Sequence, residues 1–156
     1  MSTLKKFFVT LSVALIIFCA GNTASANDFN MENEAVYLLN ELRKSHGLQP
    51  LSWNPSSNLQ KAAELRAMEI TKKFSHARPN GSSCFTVLEE FGLRYRNCGE
   101  NLAYGTELGP QGVTEMWINS PGHYKNMITP EFKEIGLACY RVNDLVYWVQ
   151  LFFTRQ

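Results

Sequence analysis

Residues 145–153 constrain the fold more than any other stretch, because their pattern indicates a strand that is apolar on both faces. A strand of that kind suits the centre of a sheet that is covered on both sides. We predict a second strand at residues 134–140, joined to the first by a turn through residues 141–144, and a third at residues 99–104. The sequence therefore predicts a small, mainly antiparallel sheet with a covered central strand.

Helical patterns supply the cover for such a sheet. One long helical pattern lies at about residues 31–46 and ends at Gly47. A second lies at about residues 54–73, where Asn54 suits a helix cap and Pro55 suits the first helical turn. Shorter helical patterns lie at about residues 83–91, after Pro110 and after Pro121. Helices on both faces of the sheet would bury all the apolar stripes. We predict an α+β fold, a three-layer α/β/α sandwich.

The first 26 residues indicate a secretory signal peptide rather than part of the fold. Two lysines precede an apolar run at residues 7–20, and a small-residue cleavage site, Ala24-Ser25-Ala26, closes the segment. The run is shorter than the roughly 20 residues that span a bilayer, which argues against a retained anchor. We expect cleavage after Ala26 and export of a mature domain at residues 27–156. The sequence does not distinguish export to the periplasm from export to the exterior.

The composition of the mature domain excludes one class of partner. Its length suits one domain with a core of its own. The whole chain has 15 basic and 14 acidic residues, and the predicted signal peptide removes two lysines and no acids, which leaves a net charge of −1. A near-neutral balance without a basic run argues against nucleic acid. Nothing in the sequence indicates an oligomer, so we expect a monomer.

Three cysteines remain after export, Cys84, Cys98 and Cys139. Exported thiols tend to oxidise, so one disulfide with one cysteine left over is the simplest count. A Cys84–Cys98 bond would close the segment that leads into Glu100, and a Cys98–Cys139 bond would join predicted neighbouring strands. Three reduced, buried cysteines are the alternative. The sequence leaves this choice open.

Glu100 is the carboxylate that most needs a partner. It lies between a glycine and an amide at the start of a predicted buried strand. An ionised carboxylate that leaves water costs several kcal/mol unless it is paired or bound to a metal. His76, on a loop after the second helix, and His123, after Ser120 and a proline, lie on either side of it in sequence. We expect these two histidines to receive its charge.

The chemistry of His76, Glu100 and His123 allows two arrangements. Two neutral imidazoles and a carboxylate can hold Zn²⁺ with a position open for water. Without metal, Glu100 would orient one histidine, which would contact Ser120. Ser120 itself is a poor candidate nucleophile, because its cap position before a proline would occupy its hydroxyl with backbone N–H groups. The chain also lacks a Gly-x-Ser-x-Gly motif.

Four short motifs, in this order along the chain, resemble those of the CAP superfamily, also called the SCP domain. Cysteine-rich secretory proteins, insect venom antigen 5 and plant pathogenesis-related 1 proteins share that domain. The motifs are Ser75-His76 with Pro79-Asn80-Gly81, Gly99-Glu100-Asn101-Leu102-Ala103, Met116-Trp117-Ile118-Asn119-Ser120-Pro121-Gly122-His123, and Tyr147-Trp148-Val149-Gln150. The similarity covers about the whole of residues 27–156 and is greatest to compact, single-domain bacterial members.

This resemblance implies a cleft. In eukaryotic members the cleft holds two histidines and two glutamates, reported in some as a divalent-metal site. By position His76, Glu100 and His123 match three of these four, and Ser120 stands at the place of the second glutamate. Glu115 does not replace it, because five residues turn a helix by about 140°. We expect a cleft of these four residues, with His76, Glu100 and His123 as the candidate ligands of a divalent metal such as Zn²⁺.

The resemblance also implies a range of functions. We expect a secreted, non-enzymatic binding module that engages a lipid, a sterol or another cell-envelope ligand. A metal-dependent hydrolase with Glu100 as ligand or general base is one alternative, and a structural surface domain is another. Five aromatic residues are available to a lipid groove, although core packing is expected for most of them. They are Phe74, Phe85, Phe91, Tyr95 and Tyr104.

Overall fold

The computed structural model describes residues 26–156, in which five helices and three strands are defined. The helices are α1 (Ala26–Ser45), α2 (Asn58–Lys72), α3 (Thr86–Glu90), α4 (Pro110–Ile118) and α5 (Pro121–Met127). The strands are β1 (Tyr95–Thr106), β2 (Glu134–Val142) and β3 (Leu145–Arg155). The predicted signal peptide lies outside the described residues except for Ala26. Within residues 26–156, no helix has both the length and the apolar character needed to cross a bilayer.

The strands form one antiparallel sheet in the order β1-β3-β2, which confirms the predicted central place of β3. Side chains of a strand point alternately to the two faces of its sheet. On β3, Val146, Trp148 and Phe152 enter one core, and the other core receives Val149, Leu151 and Phe153. Both faces of the central strand are therefore buried.

Helices cover both faces, so the predicted three-layer α/β/α sandwich is confirmed. The layer of α1, α4 and α5 packs on the side of Trp148, through residues such as Leu39 and Trp117. The layer of α2 and α3 packs on the side of Val149, through residues such as Leu59 and Leu88. Each element supplies one apolar face, and two cores result because the sheet lies between the two layers.

The start of α2 differs from the prediction, which placed its cap at Asn54. The cap is Ser57, whose hydroxyl oxygen accepts the N–H of Gln60 at 3.1 Å. Asn54 instead accepts the N–H of Ser56 at 2.9 Å, in a turn that contains Pro55. Asparagine and serine both suit turns as well as helix caps. Asn54 forms the turn that precedes the helix, and Ser57 forms the cap.

Side chains close both edges of the sheet. On the outer edge of β2, Gln60 pairs with both backbone groups of Leu137, and the carboxylate of Glu32 accepts the N–H of Cys139 at 3.0 Å. On the outer edge of β1, the indole of Trp117 donates to the carbonyl of Leu102 at 3.2 Å. Covered edges protect a sheet against pairing with another chain.

The predicted disulfide is not present among the described residues, where Cys84, Cys98 and Cys139 are free thiols. Cys139 packs in the core on the α1 side, whereas Cys98 packs against the core on the α2 side. The sheet separates these two, so the Cys98–Cys139 alternative is wrong. Cys84 and Cys98 are likewise unbonded; the thiol of Cys84 lies near Glu100, and that of Cys98 contacts the Tyr95 hydroxyl.

Candidate functional site

Glu100 projects from β1 toward α2, and its side chain is only 1% exposed. It lies on that side because Leu102, two residues along the same strand, enters the core beneath α2. Its backbone carbonyl accepts the amide of Asn126 in α5 at 3.3 Å. A carboxylate at this depth requires a charged or strongly hydrogen-bonded partner.

That partner is Arg66 of α2, which our sequence analysis missed. Its Nε donates to Oε2 of Glu100 at 2.8 Å, and its Nη2 donates to Oε1 at 3.2 Å, which makes a two-point ion pair. The guanidinium is fully buried. The expectation named the two histidines as recipients of this charge, and it left out the buried guanidinium that pairs with both carboxylate oxygens.

A sequence feature of Arg66 could have revealed this role. The residue lies on the apolar face of α2, with Ala62 and Ala63 one turn before it and Ile70 one turn after it. A charged residue on the buried face of a helix is rarely fully buried unless it is paired. Small neighbours also leave room for a guanidinium. The pattern predicts a buried ion pair, although it does not identify Glu100 as the partner.

Arg66 also organises the loop that carries His76. Its Nη1 donates to Glu69 at 2.8 Å, and its Nη2 donates to the backbone carbonyl of Ser75 at 3.0 Å. Glu69 in turn accepts from Arg78, whose guanidinium also pairs with Glu90. Charges alternate along this chain from Glu100 to Glu90. We call these five residues, Glu100, Arg66, Glu69, Arg78 and Glu90, the ion-pair chain.

His76 lies at the solvent end of this arrangement. Its Nδ1 donates to Oε1 of Glu100 at 2.8 Å, because an ionised carboxylate can only accept. The hydrogen bond to Glu100 raises the pKa of His76. The side chain is 60% exposed, and Nε2 is the ring nitrogen that remains for a ligand. The expected contact between Glu100 and this histidine is thus present in the structure.

His123 is held nearby on α5. Burial and the charge of His76 lower the pKa of His123. Its backbone carbonyl accepts the side-chain amide of Asn101 at 3.1 Å. The far end of α5 is fixed by Arg43 of α1, which donates to the carbonyls of Met127 and Thr129, each at 2.9 Å. The helix therefore holds His123 in a defined place beside His76.

Ser120 precedes α5 as its cap residue, as expected, but its hydroxyl makes no capping hydrogen bond. The expectation that backbone N–H groups occupy this hydroxyl was wrong. Its backbone is extended, and the helix begins at Pro121, which has no N–H to offer. Ser120 is half-buried at the start of the helix that carries His123.

One group of possible metal ligands is found among residues 26–156. A nitrogen of His76, the sulfur of Cys84 and an oxygen of Glu100 all lie within 4.8 Å of one another. His123 is not a member of that group. Burial raises the pKa of the Cys84 thiol to about 12, with the charge of Glu100 acting in the same direction. At neutral pH Cys84 is therefore a thiol rather than a thiolate.

Two exposed aromatic rings contact one another, and one of them, Phe74, lies two residues before His76 in the chain. Phe74 and Tyr104 are 47% and 46% exposed, and their ring centroids are 4.7 Å apart. Tyr147 stacks on Tyr104 at 5.4 Å. We call Phe74, Tyr104 and Tyr147 the aromatic row. The other aromatic candidates, Phe85, Phe91 and Tyr95, are partly buried against the core, as was expected for most of the set.

Comparisons with known proteins agree with the fold. A family model described as the cysteine-rich secretory protein family, CAP, matches residues 36–152. The uncharacterized protein YkwD of Bacillus subtilis (strain 168) is 33% identical over 121 residues, which cover 78% of this chain and 46% of that relative. The chain therefore spans less than half the length of that curated relative.

Two solved structures extend this comparison. An outer surface protein from Borrelia burgdorferi is 23% identical with a TM-score of 0.72, covering 84% of this chain and 95% of that one. NaASP2, solved with Zn²⁺, is 15% identical with a TM-score of 0.60, covering 86% of this chain and 83% of that one. Likenesses at these identities show a common fold.

Proposed function

The chain belongs to the cysteine-rich secretory protein family, CAP, and from that membership we propose a secreted, non-enzymatic binding module for a lipid surface of the cell envelope. The predicted signal peptide, cleaved after Ala26, supports export. An outer surface protein among the structural neighbours supports the same location. The choice of a lipid as the ligand depends on the aromatic row.

The exposed rings of Phe74 and Tyr104, within the aromatic row, are the observation that carries this proposal. Phe74 and Tyr104 leave about half of their surface in water although they contact one another. Adjacent exposed aromatic side chains are typical of a binding surface, and rings with a polar tip suit the boundary between lipid and water. Lys72 and Lys73 directly precede Phe74 and lie at the protein surface. Their charges favour an anionic lipid surface.

The polar groups beside the aromatic row support binding rather than catalysis. The Cys84 thiol is buried and has a raised pKa, which is opposite to what an activated nucleophile needs. Glu100 is committed to hydrogen bonds from Arg66 and His76. His76 thus offers one exposed ring nitrogen that can bond a ligand's polar head.

Vesicle co-sedimentation tests the proposal with the mature protein and phosphatidylcholine vesicles that contain phosphatidylglycerol. Phe74→Ser and Tyr104→Ser should each weaken binding about tenfold, because each removes an aromatic side chain from the contact. Tyr37→Ser is the matched control, since Tyr37 is 60% exposed on α1, in the opposite layer. Equal binding by all three variants, or no binding by the parent protein, would contradict the proposal.

A hydrolase with His76 as general base is the second candidate, favoured by the contact between His76 and Glu100. A carboxylate that holds Nδ1 leaves Nε2 free to accept a proton, as a general base does. Hydrolysis of an ester or amide substrate that disappears in His76→Ala would support this candidate. Activity that persists in that variant would contradict it.

A further inference from the structure

The side chains around Glu100 already include a cation that contacts both oxygens of its carboxylate. Oε2 of Glu100 accepts from Nε of Arg66, and Oε1 accepts from Nη2 of Arg66 and Nδ1 of His76. We infer that Arg66 is a built-in counter-cation that takes the place of a divalent metal, so that the cleft works without Zn²⁺. This inference is independent of what binds the aromatic row.

Arg66 cannot easily give way to a metal. Its guanidinium is fully buried and also donates to Glu69 and to the carbonyl of Ser75. Movement away from Glu100 would break these two bonds and leave buried groups unpaired. A dication on the Glu100 carboxylate would then lie against a fixed guanidinium, and charges of like sign repel strongly where water is excluded.

The other possible ligands offer few free donor atoms. Nδ1 of His76 is the donor in the hydrogen bond to Glu100, so only Nε2 of that ring has a lone pair to offer while the bond exists. Cys84 is 4% exposed and would have to lose its proton before it could bind a metal. Ser120 stands at the position that the second glutamate takes in eukaryotic members of the family. The donor set therefore does not fit Zn²⁺ as it stands.

The ion-pair chain makes an external cation unnecessary. Arg66 joins Glu100 to Glu69, and Arg78 joins Glu69 to Glu90. Every carboxylate of the chain contacts at least one guanidinium, and the buried Glu100 has two donor nitrogens from Arg66. Removal of Arg66 would leave Glu100 as a buried charge whose remaining side-chain donor is the exposed His76. A divalent metal could then compensate it.

Titration with ZnCl₂ alone provides the first test. We expect isothermal titration calorimetry to give the same result for the mature protein and for His76→Ala, with no micromolar site that depends on His76. Micromolar binding by the parent protein that is lost in His76→Ala would overturn the inference. This comparison requires no change to Arg66.

Arg66→Met provides the second test, because it removes the cation and keeps much of the buried volume. We expect the midpoint of thermal unfolding to fall and then to recover by a few degrees in millimolar Zn²⁺, since a ligand of the folded state raises that midpoint. The midpoint of the parent protein should not rise. The double variant Arg66→Met/Glu100→Gln, which has no buried charge to compensate, should not recover either.

A purely structural Arg66 would not produce that recovery. If Arg66→Met folds and Zn²⁺ leaves its midpoint unchanged, Arg66 does not stand in place of a metal and the inference is wrong. If Arg66→Met does not fold, the titration of the parent protein and His76→Ala still decides whether the cleft takes Zn²⁺.

Discussion

Two buried carboxylates of this domain are satisfied in different ways. Glu100 pairs with the guanidinium of Arg66, whereas Glu32 on α1 accepts from neutral donors among residues 26–156. These donors are the N–H of Cys139 at 3.0 Å and the amide of Gln60 at 3.2 Å. Neutral donors compensate an ionised carboxylate less than a cation does. Burial raises the pKa of Glu32 from 4.5 to about 8.

The charged groups around Glu32 act in the same direction as burial. Glu64 on α2 and Asp28 on α1 both raise its pKa by repulsion, while the N–H of Cys139 on β2 lowers it. Because the pKa is higher in the folded state, the contribution of Glu32 to stability is full below about pH 4.5. It is lost as the pH rises through about 8.

Glu32→Gln should remove this pH dependence. The free energy of unfolding of the parent protein, relative to that of the variant, should fall by about 1–4 kcal/mol between mildly acidic and mildly alkaline pH. Urea unfolding across that range measures it. Glu115→Gln, which changes an exposed carboxylate on α4, is the control and should leave the pH dependence unchanged. A Glu32→Gln profile that runs parallel to that of the parent would contradict the assignment.

At the scale of elements, α2 is the helix that links the fold to the site. It carries Arg66 toward β1, and its backbone passes close to β2 at Gly136. A Cβ atom at Gly136 would lie 2.5 Å from the backbone carbonyl oxygen of Leu59. A backbone contact of that length cannot be relieved by a side-chain rotation. The separation between α2 and the sheet therefore depends on this glycine.

Gly136→Ala should destabilise the domain by about 1–3 kcal/mol, because α2 would have to move away from β2. Gly122→Ala in α5 is the matched control, since no atom lies within 4 Å of its added Cβ. In a helix that change should be neutral or stabilising by up to about 1 kcal/mol. Urea unfolding of both variants provides the measurement. Equal changes in the free energy of unfolding for the two variants would show that the close backbone contact at Gly136 does not determine the stability of the domain.

At the scale of the whole molecule, the domain holds together without a covalent cross-link among its described residues. Burial raises the pKa of Cys98 to about 11 and that of Cys139 still further. Two cores, one on each face of the sheet, supply the apolar burial. Covered sheet edges are consistent with the expected monomer, which stays a prediction.

A reductant should therefore leave the thermal midpoint of the mature protein unchanged. Thiol titration of the denatured, non-reduced protein should find all of Cys84, Cys98 and Cys139 reactive, because the structure holds each as a free thiol. Cys98→Ser should behave like the parent protein toward reductant. A midpoint that falls on reduction in the parent but not in Cys98→Ser would instead indicate a disulfide that involves Cys98.

The sequence by itself determined the features that arise from local periodicity. A strand apolar on both faces requires two layers of cover, and that placed β3 at the centre of an α/β/α sandwich. A buried carboxylate in a strand requires a partner, and on that ground we predicted the contact between His76 and Glu100. Family resemblance identified the same two residues as members of the cleft.

The tertiary structure alone decided that Arg66 is the buried partner of Glu100. Arg66 and Glu100 are 34 residues apart, and a helical pattern indicates the buried face of α2 without indicating which strand residue lies beneath it. The thiols are a second case, since cysteine count suggests a disulfide but only the packed sheet shows that Cys98 and Cys139 lie on opposite faces. Both depend on how α2 and the sheet pack, because distance in space is set by packing and not by distance along the chain.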